Sequence, residues 1–502
     1  MAVLARKINH ILLVFPPMLN IDYTNNACEI PLGVASLAAY MMDKVEIHVL
    51  DSCQEGYHHK EEISEKMIRF GLSYQDITRR VEELKPELVG FSCIFSHQFP
   101  MIRTMVDMVK KLDPQIITVA GGSHPSMLPE RALRTTQLDY LVIGEGELAL
   151  LRLVDALSGK GSVAEIPGLA FRDNGQIRIN PGTEYIKDLD QLPFPARDLF
   201  KVEEYFKINV PMATLSRSPR SLNVISSRGC PYRCGFCCST IHWGHRYRMR
   251  SPENVLDELE ALKSRFLIEE FKFVDDNLTF NGRHARAIVK GIIERKLNLQ
   301  WNTPNGISPW TLNREVLELM KAAGCYEITL AIESGDPKVI KDLVGKPLDL
   351  EQTREVVKMM RELGIGSNAF FIIGFPTETL EQVMNTINYA LSLDLDRCYI
   401  FNYVPLPGTP LAKLAIERGR LNADFDFEAS SNYLVPQLCL SEVPPGELMK
   451  IYRSAFWKIN LGFLFRHPVL FFKKYLNSLA SHPEYILKIF RSILRQYQHK
   501  PG

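Results

Sequence analysis

Strand-like and helix-like segments alternate along the chain twice, and this restricts the fold more than any other feature of the sequence. In the first 160 residues, apolar runs at His10–Phe15, Val45–Asp51, Leu88–Phe95, Ile116–Gly121 and Asp139–Ile143 read as strands. Between them, Pro31–Met42 and Pro100–Leu112 carry apolar residues at helical spacing. Strands separated by helices of this length predict parallel βαβ units covered on both faces, a doubly wound sheet. Ligands of such sheets bind beyond the carboxyl ends of the strands. Those ends are glycine-rich here: Gly121-Gly122-Ser123-His124-Pro125 and Gly144-Glu145-Gly146-Glu147. Neither is a dinucleotide fingerprint, and Gly345-Lys346 runs into Pro347 rather than the Ser or Thr of a phosphate loop. On local sequence alone, tight turns explain these glycines equally well.

Residues 161–212 read as a connection, with a hairpin over Gly168–Asn180 turning at Asp173-Asn174-Gly175 and an extended Leu192-Pro193-Phe194-Pro195. A second alternation fills 213–422. Its strands are expected at Ser221–Ser226, Phe271–Asp275, Leu299–Thr303, Tyr326–Ile332, Asn368–Ile373 and Cys398–Tyr403, with helices such as Pro252–Phe266 and Leu350–Leu363 between them. Six strand–helix repeats predict a closed or partly closed TIM-like barrel with its functional groups in the loops after the strands. Residues 423–502 are expected to form a helical, basic C-terminal region.

Composition narrows the class. With 502 residues, about three domains are expected. Lys plus Arg number 59 against 58 Asp plus Glu, a net charge of +1, so no overall electrostatic footprint for nucleic acid exists. No apolar run reaches the ~18–20 residues of a membrane helix. Ile459–Phe465 and Pro468–Phe472 are separated by Arg466 and His467, and Ile11–Phe15 is too short for a signal-peptide core. A cytoplasmic chain with reduced thiols is expected.

Of the ten cysteines, Cys28, Cys53, Cys93, Cys238, Cys325, Cys398 and Cys439 read as small core residues. The other three form Cys230-Pro-Tyr-Arg-Cys234-Gly-Phe-Cys237 directly after the first barrel strand. Structural zinc needs four ligands, usually in paired knuckles, and no second C-x₂-C pair is present. Three thiolates suit an iron–sulfur cluster with one iron free of protein ligands. Cys238 directly follows Cys237, and one loop does not aim adjacent side chains at the same cluster.

The Cys230-x₃-Cys234-x₂-Cys237 spacing, with Phe236 before the last cysteine, resembles the radical S-adenosylmethionine (SAM) signature. The resemblance spans about residues 213–422. It implies a partial (β/α)₆ barrel, a [4Fe–4S] cluster on Cys230, Cys234 and Cys237, and SAM bound at the open iron. Reductive cleavage of SAM would give a 5′-deoxyadenosyl radical. Phe236 then corresponds to the aromatic residue beside the adenine, and Glu333-Ser334-Gly335 to the segment near the SAM ribose and amino acid. As an alternative, Glu333 is a carboxylate favoured at a helix N-terminus. Asp275-Asp276-Asn277 faces the cavity or serves as a turn, and Gly374 permits close approach of a ligand.

A parallel α/β domain before this signature resembles the cobalamin-binding domain of the B12-dependent radical SAM branch. The resemblance places Ser92, Gly121 and Gly122 along the cobalamin nucleotide tail, with His124 and Glu145 on the same rim. The Asp-x-His-x-x-Gly motif of other cobalamin proteins is absent, which leaves the cobalt axial ligand open. The segment Ile241–Arg248 also resembles this branch. Arg246, Arg248 and Arg250 either contact an anionic group or form salt bridges within the loop.

Together these resemblances imply C-methylation at an unactivated carbon, with SAM as both radical source and methyl donor and an electron donor such as flavodoxin or ferredoxin. An anaerobic Mg-protoporphyrin monomethyl ester cyclase-like oxidation is the alternative, and a cobalamin-responsive regulator is disfavoured. From Lys450 onward, basic residues (among them Lys450, Arg453, Lys458, Lys473, Lys474, Lys488, Arg491, Arg495 and Lys500) interleave with aromatic ones (Phe456, Trp457, Phe463, Phe471, Tyr475, Tyr485 and Phe490). Two readings apply: a helical cap over the barrel, or a peripheral membrane contact suited to an apolar substrate such as a bacteriochlorophyll-type tetrapyrrole or a polycyclic lipid.

Overall fold

The computed structural model describes residues 7–21, 26–64, 67–211, 216–428, 438–470 and 472. The first sheet has seven strands: β1 (His10–Phe15), β2 (Glu46–Asp51), β3 (Leu88–Ser92), β4 (Ile117–Gly121), β5 (Tyr140–Val142), β6 (Leu169–Asp173) and β7 (Gln176–Ile179). Their spatial order is β7-β6-β5-β4-β3-β1-β2. Pairing is parallel from β2 to β5 and antiparallel at β6 and β7. Side-chain alternation sends Ile11 and Leu13 of β1 to one face, with α1 (Leu32–Met41) and α3 (Gly146–Leu157). Leu12 and Val14 go to the other, with α2 (Phe99–Leu112). Burial on both faces is why these strands read as near-continuous apolar runs.

Two expectations change. The hairpin at 169–179, expected in the connection, is hydrogen-bonded to β5 and extends the first sheet. Its physical reason is local: Ile143 N–H donates to the Gly168 carbonyl at 2.9 Å, turning the chain back along β5. The run Leu88–Phe95 keeps strand geometry only to Ser92, because the Gln98 side chain accepts the Ile94 and Phe95 N–H groups and folds the chain into a turn. A small antiparallel sheet of Met18–Ile21, Lys60–Ser64 and Met67–Phe70 had no sequence signal.

The second sheet holds β8 (Ser221–Val224), β9 (Glu270–Phe273), β10 (Gln300–Ile307), β11 (Cys325–Glu333), β12 (Gly366–Ile373) and β13 (Arg397–Asn402), all parallel and in sequential order. Between the strands run α4 (Pro252–Phe266), α5 (Leu350–Glu362) and α6 (Leu380–Ser392) among others. Ser251 caps α4, its hydroxyl accepting the Asn254 N–H at 3.1 Å. Val356, Met360, Val383 and Ile387 of α5 and α6 cover Ile328, Leu330, Ala369 and Phe371. One continuous apolar cluster joins this layer to the first sheet.

The last described helix, α7 (Pro445–Arg466), buries Leu448, Ala455, Ile459 and Phe463 against the barrel. That agrees with a cap for this half of the tail. Lys473, Lys474, Lys488, Arg491, Arg495, Lys500, Phe471, Tyr475, Tyr485 and Phe490 lie outside the described residues. Among the described residues, no helix is long and apolar enough to cross a membrane. Cys439 is exposed and Cys238 and Cys398 are half-buried, so the expected core role fails for Cys439.

Candidate active site

The cysteine loop leaves the carboxyl end of β8 and is pinned from two sides. Gly235 N–H donates to the Val344 carbonyl at 3.2 Å, and its own carbonyl accepts the Leu411 N–H at 2.9 Å. Cys234 is buried, and Cys230 and Cys237 are half-buried. Burial raises all three thiols, Cys234 to about 11. A metal deprotonates a coordinating thiol outright, and nothing else in the loop makes three buried thiolates favourable. Two features already suit that charge: Ser239 N–H points at Cys237 Sγ at 3.4 Å, and the Lys346 ammonium favours negative charge on Cys234. The donor set fits an iron–sulfur cluster with three protein ligands. Cys238 instead opens a short helix, its carbonyl accepting the Ile241 N–H at 2.9 Å.

Glu333 ends β11 in a left-handed conformation, φ +69°, and binds Lys346 Nζ at 2.7 Å. Burial disfavours the ammonium, but Glu333 and Cys234 more than offset it and raise the lysine pKa. Phe236 packs on Phe375 with ring centroids 6.0 Å apart, and Lys346 Nζ stands 5.9 Å from the Phe236 centroid. Phe236, Glu333 and the cysteines are thus brought together around Lys346, which the sequence reading passed over as a failed phosphate loop. Ser334 is not part of that group through its side chain. It is fully buried, its hydroxyl 2.9 Å from Thr386 Oγ1 of α6. Asp275 accepts two N–H···O contacts from Ser226 and bonds both the Ser226 and Ser227 hydroxyls, so it braces the loop entry as a turn residue.

The loop after β12 holds a misplaced-looking acid. Glu378 is fully buried, and one oxygen accepts the Gly374 and Phe375 N–H groups at 2.6 and 3.0 Å. Burial outweighs those donors and pushes its carboxyl up to about 8. A folded-state pKa above the unfolded value near 4.5 means the folded chain holds a proton that the unfolded chain releases. Stability from this group is therefore full below about 4.5 and falls as pH rises towards 8. The expected result is a melting temperature that falls over this window in the native protein and falls less in Glu378→Gln, measured by circular dichroism across pH.

At the carboxyl ends of β1, β3, β4 and β5 lies an open-sided cavity of about 140 Å³. Ser92, Gly121, Gly122 and Glu145 are among the residues that line it, and the far wall is Arg228, His242 and Trp243 from the second domain. Gly122 sits at φ +111°, where a Cβ would stand 2.3 Å from the Cys93 carbonyl oxygen. An adjoining cavity of about 300 Å³ shares Ser92, Gly122, Arg228, His242 and Trp243. His242 is kept neutral, burial lowering it to about 4, and its Nδ1 has no partner. The open-sided, apolar and glycine-lined strand ends, with one orphaned imidazole nitrogen facing them, suit a corrinoid laid across them.

The two domains are joined here by buried charges. Glu147 binds Arg228 at 2.7 Å, and Glu145 binds Arg248 at 2.7 Å and Ile186 N–H at 2.9 Å. Burial raises the Glu147 carboxyl, but Arg228 overrides it and the net shift is downward. Glu145 thus lines the cavity while its charge is spent on the barrel. Arg248 and Arg250 take the salt-bridge reading, Arg250 with Glu258.

His124 departs from expectation. It is 1% exposed and lines neither cavity. Its Nδ1 lies 2.9 Å from Ser96 Oγ and its Nε2 3.9 Å from Glu428. Glu428 also binds Arg103 at 2.7 Å, so His124 belongs to the seam where the chain returns to the first domain. The turn Ser123–Met127 rotates its ring away from the glycine-lined rim. Arg228, His242, Trp243 and Glu147 are the cavity residues that sequence reasoning missed. A signal existed for the middle pair, inside the Ile241–Arg248 segment, and for Glu147, inside the glycine-rich strand end Gly144–Glu147, but not for Arg228.

Comparison with known proteins agrees with this geometry. Residues 224–390 match the radical SAM superfamily and residues 24–154 the B12 binding domain. The chain is 32% identical over 445 residues to cytidylyl-2-hydroxyethylphosphonate methyltransferase of Streptomyces wedmorensis, covering 82% of this chain and 83% of that one. It is 29% identical over 402 residues to the anaerobic magnesium-protoporphyrin IX monomethyl ester cyclase of Rubrivivax gelatinosus, covering 78% and 69%. In fold it is similar to the radical SAM methyltransferase TsrM of Kitasatospora setae solved with cobalamin and a [4Fe–4S] cluster, with a TM-score of 0.68 at 20% identity over 90% and 91% of the two chains. A three-cysteine loop on one matched domain and a glycine-lined strand-end cavity on the other, with 32% identity to the Streptomyces methyltransferase over four-fifths of both chains, make the chain an enzyme of the cobalamin-dependent radical SAM family, with a [4Fe–4S] cluster, SAM and cobalamin as its cofactors.

Proposed function

We propose that this enzyme is a C-methyltransferase acting on an unactivated carbon. One observation carries the reading: Arg228, His242 and Trp243, which close the corrinoid cavity, flank Cys230–Cys237 in sequence, so one segment both carries the cluster cysteines and closes the cavity. When bound, the cluster and SAM supply a hydrogen-abstracting radical and cobalamin a transferable methyl group. The chain's own part is positioning. Residues 1–160 seat the corrinoid through Ser92, Gly121 and Gly122, and residues 213–422 hold the cluster on Cys230, Cys234 and Cys237. Phe236 and Glu333 orient SAM, with Lys346 fixing the Glu333 carboxylate. The Glu145–Arg248 and Glu147–Arg228 bridges hold the two sites in register. A flavodoxin or ferredoxin supplies the electron.

The acceptor is a small molecule with a large apolar part, a bacteriochlorophyll-type tetrapyrrole or a polycyclic lipid. A cytidylylated acceptor, of the kind named for the Streptomyces relative, is supported by the 32% identity. Cyclase-like oxidation without methyl transfer is the second reading, supported by the Rubrivivax relative. The test is an anaerobic assay of the reconstituted enzyme with reductant and SAM bearing a deuterated methyl, over all three acceptor classes. Product carrying labelled methyl, with S-adenosylhomocysteine and 5′-deoxyadenosine, is expected. Acceptor-dependent 5′-deoxyadenosine without label transfer would replace this reading with the oxidative one.

A further inference from the structure

Strands β12 and β13 carry aromatic side chains on the face that the helices do not cover. Ala369, Phe371, Ile373 and Ile400 pack into the core beneath α5 and α6. Alternation therefore turns Phe370, Tyr399 and Phe401 to the concave side of the barrel. All three are half-buried, and none belongs to a core cluster. They pack on one another instead. Phe370 lies 5.6 Å from Tyr399 and 5.7 Å from Phe401, and the Tyr399 and Phe401 planes are within 4° of parallel.

Two further features shape the space beside these rings. On the neighbouring strands the facing residues are minimal: a Cβ on Gly306 would meet Ala331 Cβ at 3.2 Å and the Phe370 ring at 3.4 Å. One register step below Phe370, Asn368 is fully buried and neither atom of its side-chain amide has a hydrogen-bond partner. Phe401 is in register with Ile372, which packs against the same apolar cluster around Phe375 as Phe236 of the cysteine loop.

We propose that this wall seats the acceptor, and that the acceptor presents a flat, unsaturated, nitrogen-bearing ring. Ring faces offer a flat apolar partner stacking area that a puckered saturated polycycle does not match, and stacking on aromatic side chains tolerates different ring systems. The unpaired donor and acceptor of Asn368 suit a ring edge that carries nitrogen. This inference rests on the proposed methyl transfer and selects among its acceptors, favouring a tetrapyrrole or a pyrimidine base over a polycyclic lipid.

The test is anaerobic equilibrium dialysis of the cluster- and cobalamin-loaded enzyme against coproporphyrin, cytidine 5′-monophosphate and indole, with a hydroxylated hopane as the saturated control. At least one ring probe is expected to bind saturably and more tightly than the hopane. Tyr399→Leu with Phe401→Leu, which keeps apolar bulk, is expected to weaken that probe roughly ten- to hundredfold while SAM affinity and cobalamin content hold. Ala331→Phe fills the slot from the other side and is expected to weaken it similarly with the wall intact. The inference is overturned if no ring probe binds, if both variants bind it as the native enzyme does, or if SAM affinity falls in step, since the wall would then seat the adenine. Label transfer to the hopane would overturn this inference alone. Ring binding without label transfer would overturn the methyl-transfer reading alone.

Discussion

Cys234→Ala is expected to abolish cluster assembly, with iron content after anaerobic reconstitution falling to background and 5′-deoxyadenosine formation lost. Cys234 is the buried member of the triad, in a loop held to Val344 and Leu411 through Gly235. Two remaining thiols cannot hold a cluster that already leaves one iron open, and the pinned loop cannot bring Cys238 round to replace the missing ligand. Cys238→Ala should therefore retain native iron content and the native electron paramagnetic resonance signal. Native-like iron in Cys234→Ala, or loss of iron in Cys238→Ala, would reassign the ligands.

The second large effect is on stability. Arg197 and Glu258 are 2% and 1% exposed and bonded at 2.6 Å. Arg197 also donates to the Asn223 carbonyl at 2.7 Å, tying the connection between the domains to β8. Arg250 reaches the other Glu258 oxygen. Burial pushes the Glu258 carboxyl up, the two guanidinium groups more than reverse it, and the net pKa lies below the ordinary 4.5. Its stabilisation is therefore full above about 4.5 and drains as pH falls through the lowered value. Glu258→Ala leaves the buried Arg197 and the half-buried Arg250 without their anion, and a loss of about 3–5 kcal/mol is expected. For a unit the size of the barrel that is a fall of roughly 6–20 °C in the melting midpoint. Arg197→Met combined with Glu258→Met should cost much less, because Arg250 keeps Asn254 Oδ1 at 2.6 Å and the Ile225 carbonyl at 2.9 Å. A single substitution as mild as the double one would show that the pair contributes little.

What was legible in the sequence follows from periodicity. β1 matches its apolar run residue for residue, and α4 runs from Pro252 to Phe266 as its spacing and Ser251 cap predict. The six barrel strands were legible because burial on the helix side makes each a short apolar run. Lys60–Ser64 was not, since every residue of that strand is exposed and it reads KEEIS. The cysteine loop was legible because its chemistry lies in local spacing. The Glu333–Lys346 and Glu147–Arg228 pairs were not, because each joins residues brought together only by the fold. His124 was placed on the right loop but on the wrong side of it, since a one-turn helix decides where its ring points.

The bond between Arg103 and Glu428 spans 325 residues. During synthesis at about 5–20 residues per second, the partner of Arg103 emerges roughly 16–65 s later. The first sheet is complete by Ile179, yet Arg228, His242 and Trp243 of its cavity, and then Glu428, have still to be translated. For that interval the nascent first domain exposes its glycine-lined strand ends on one open side.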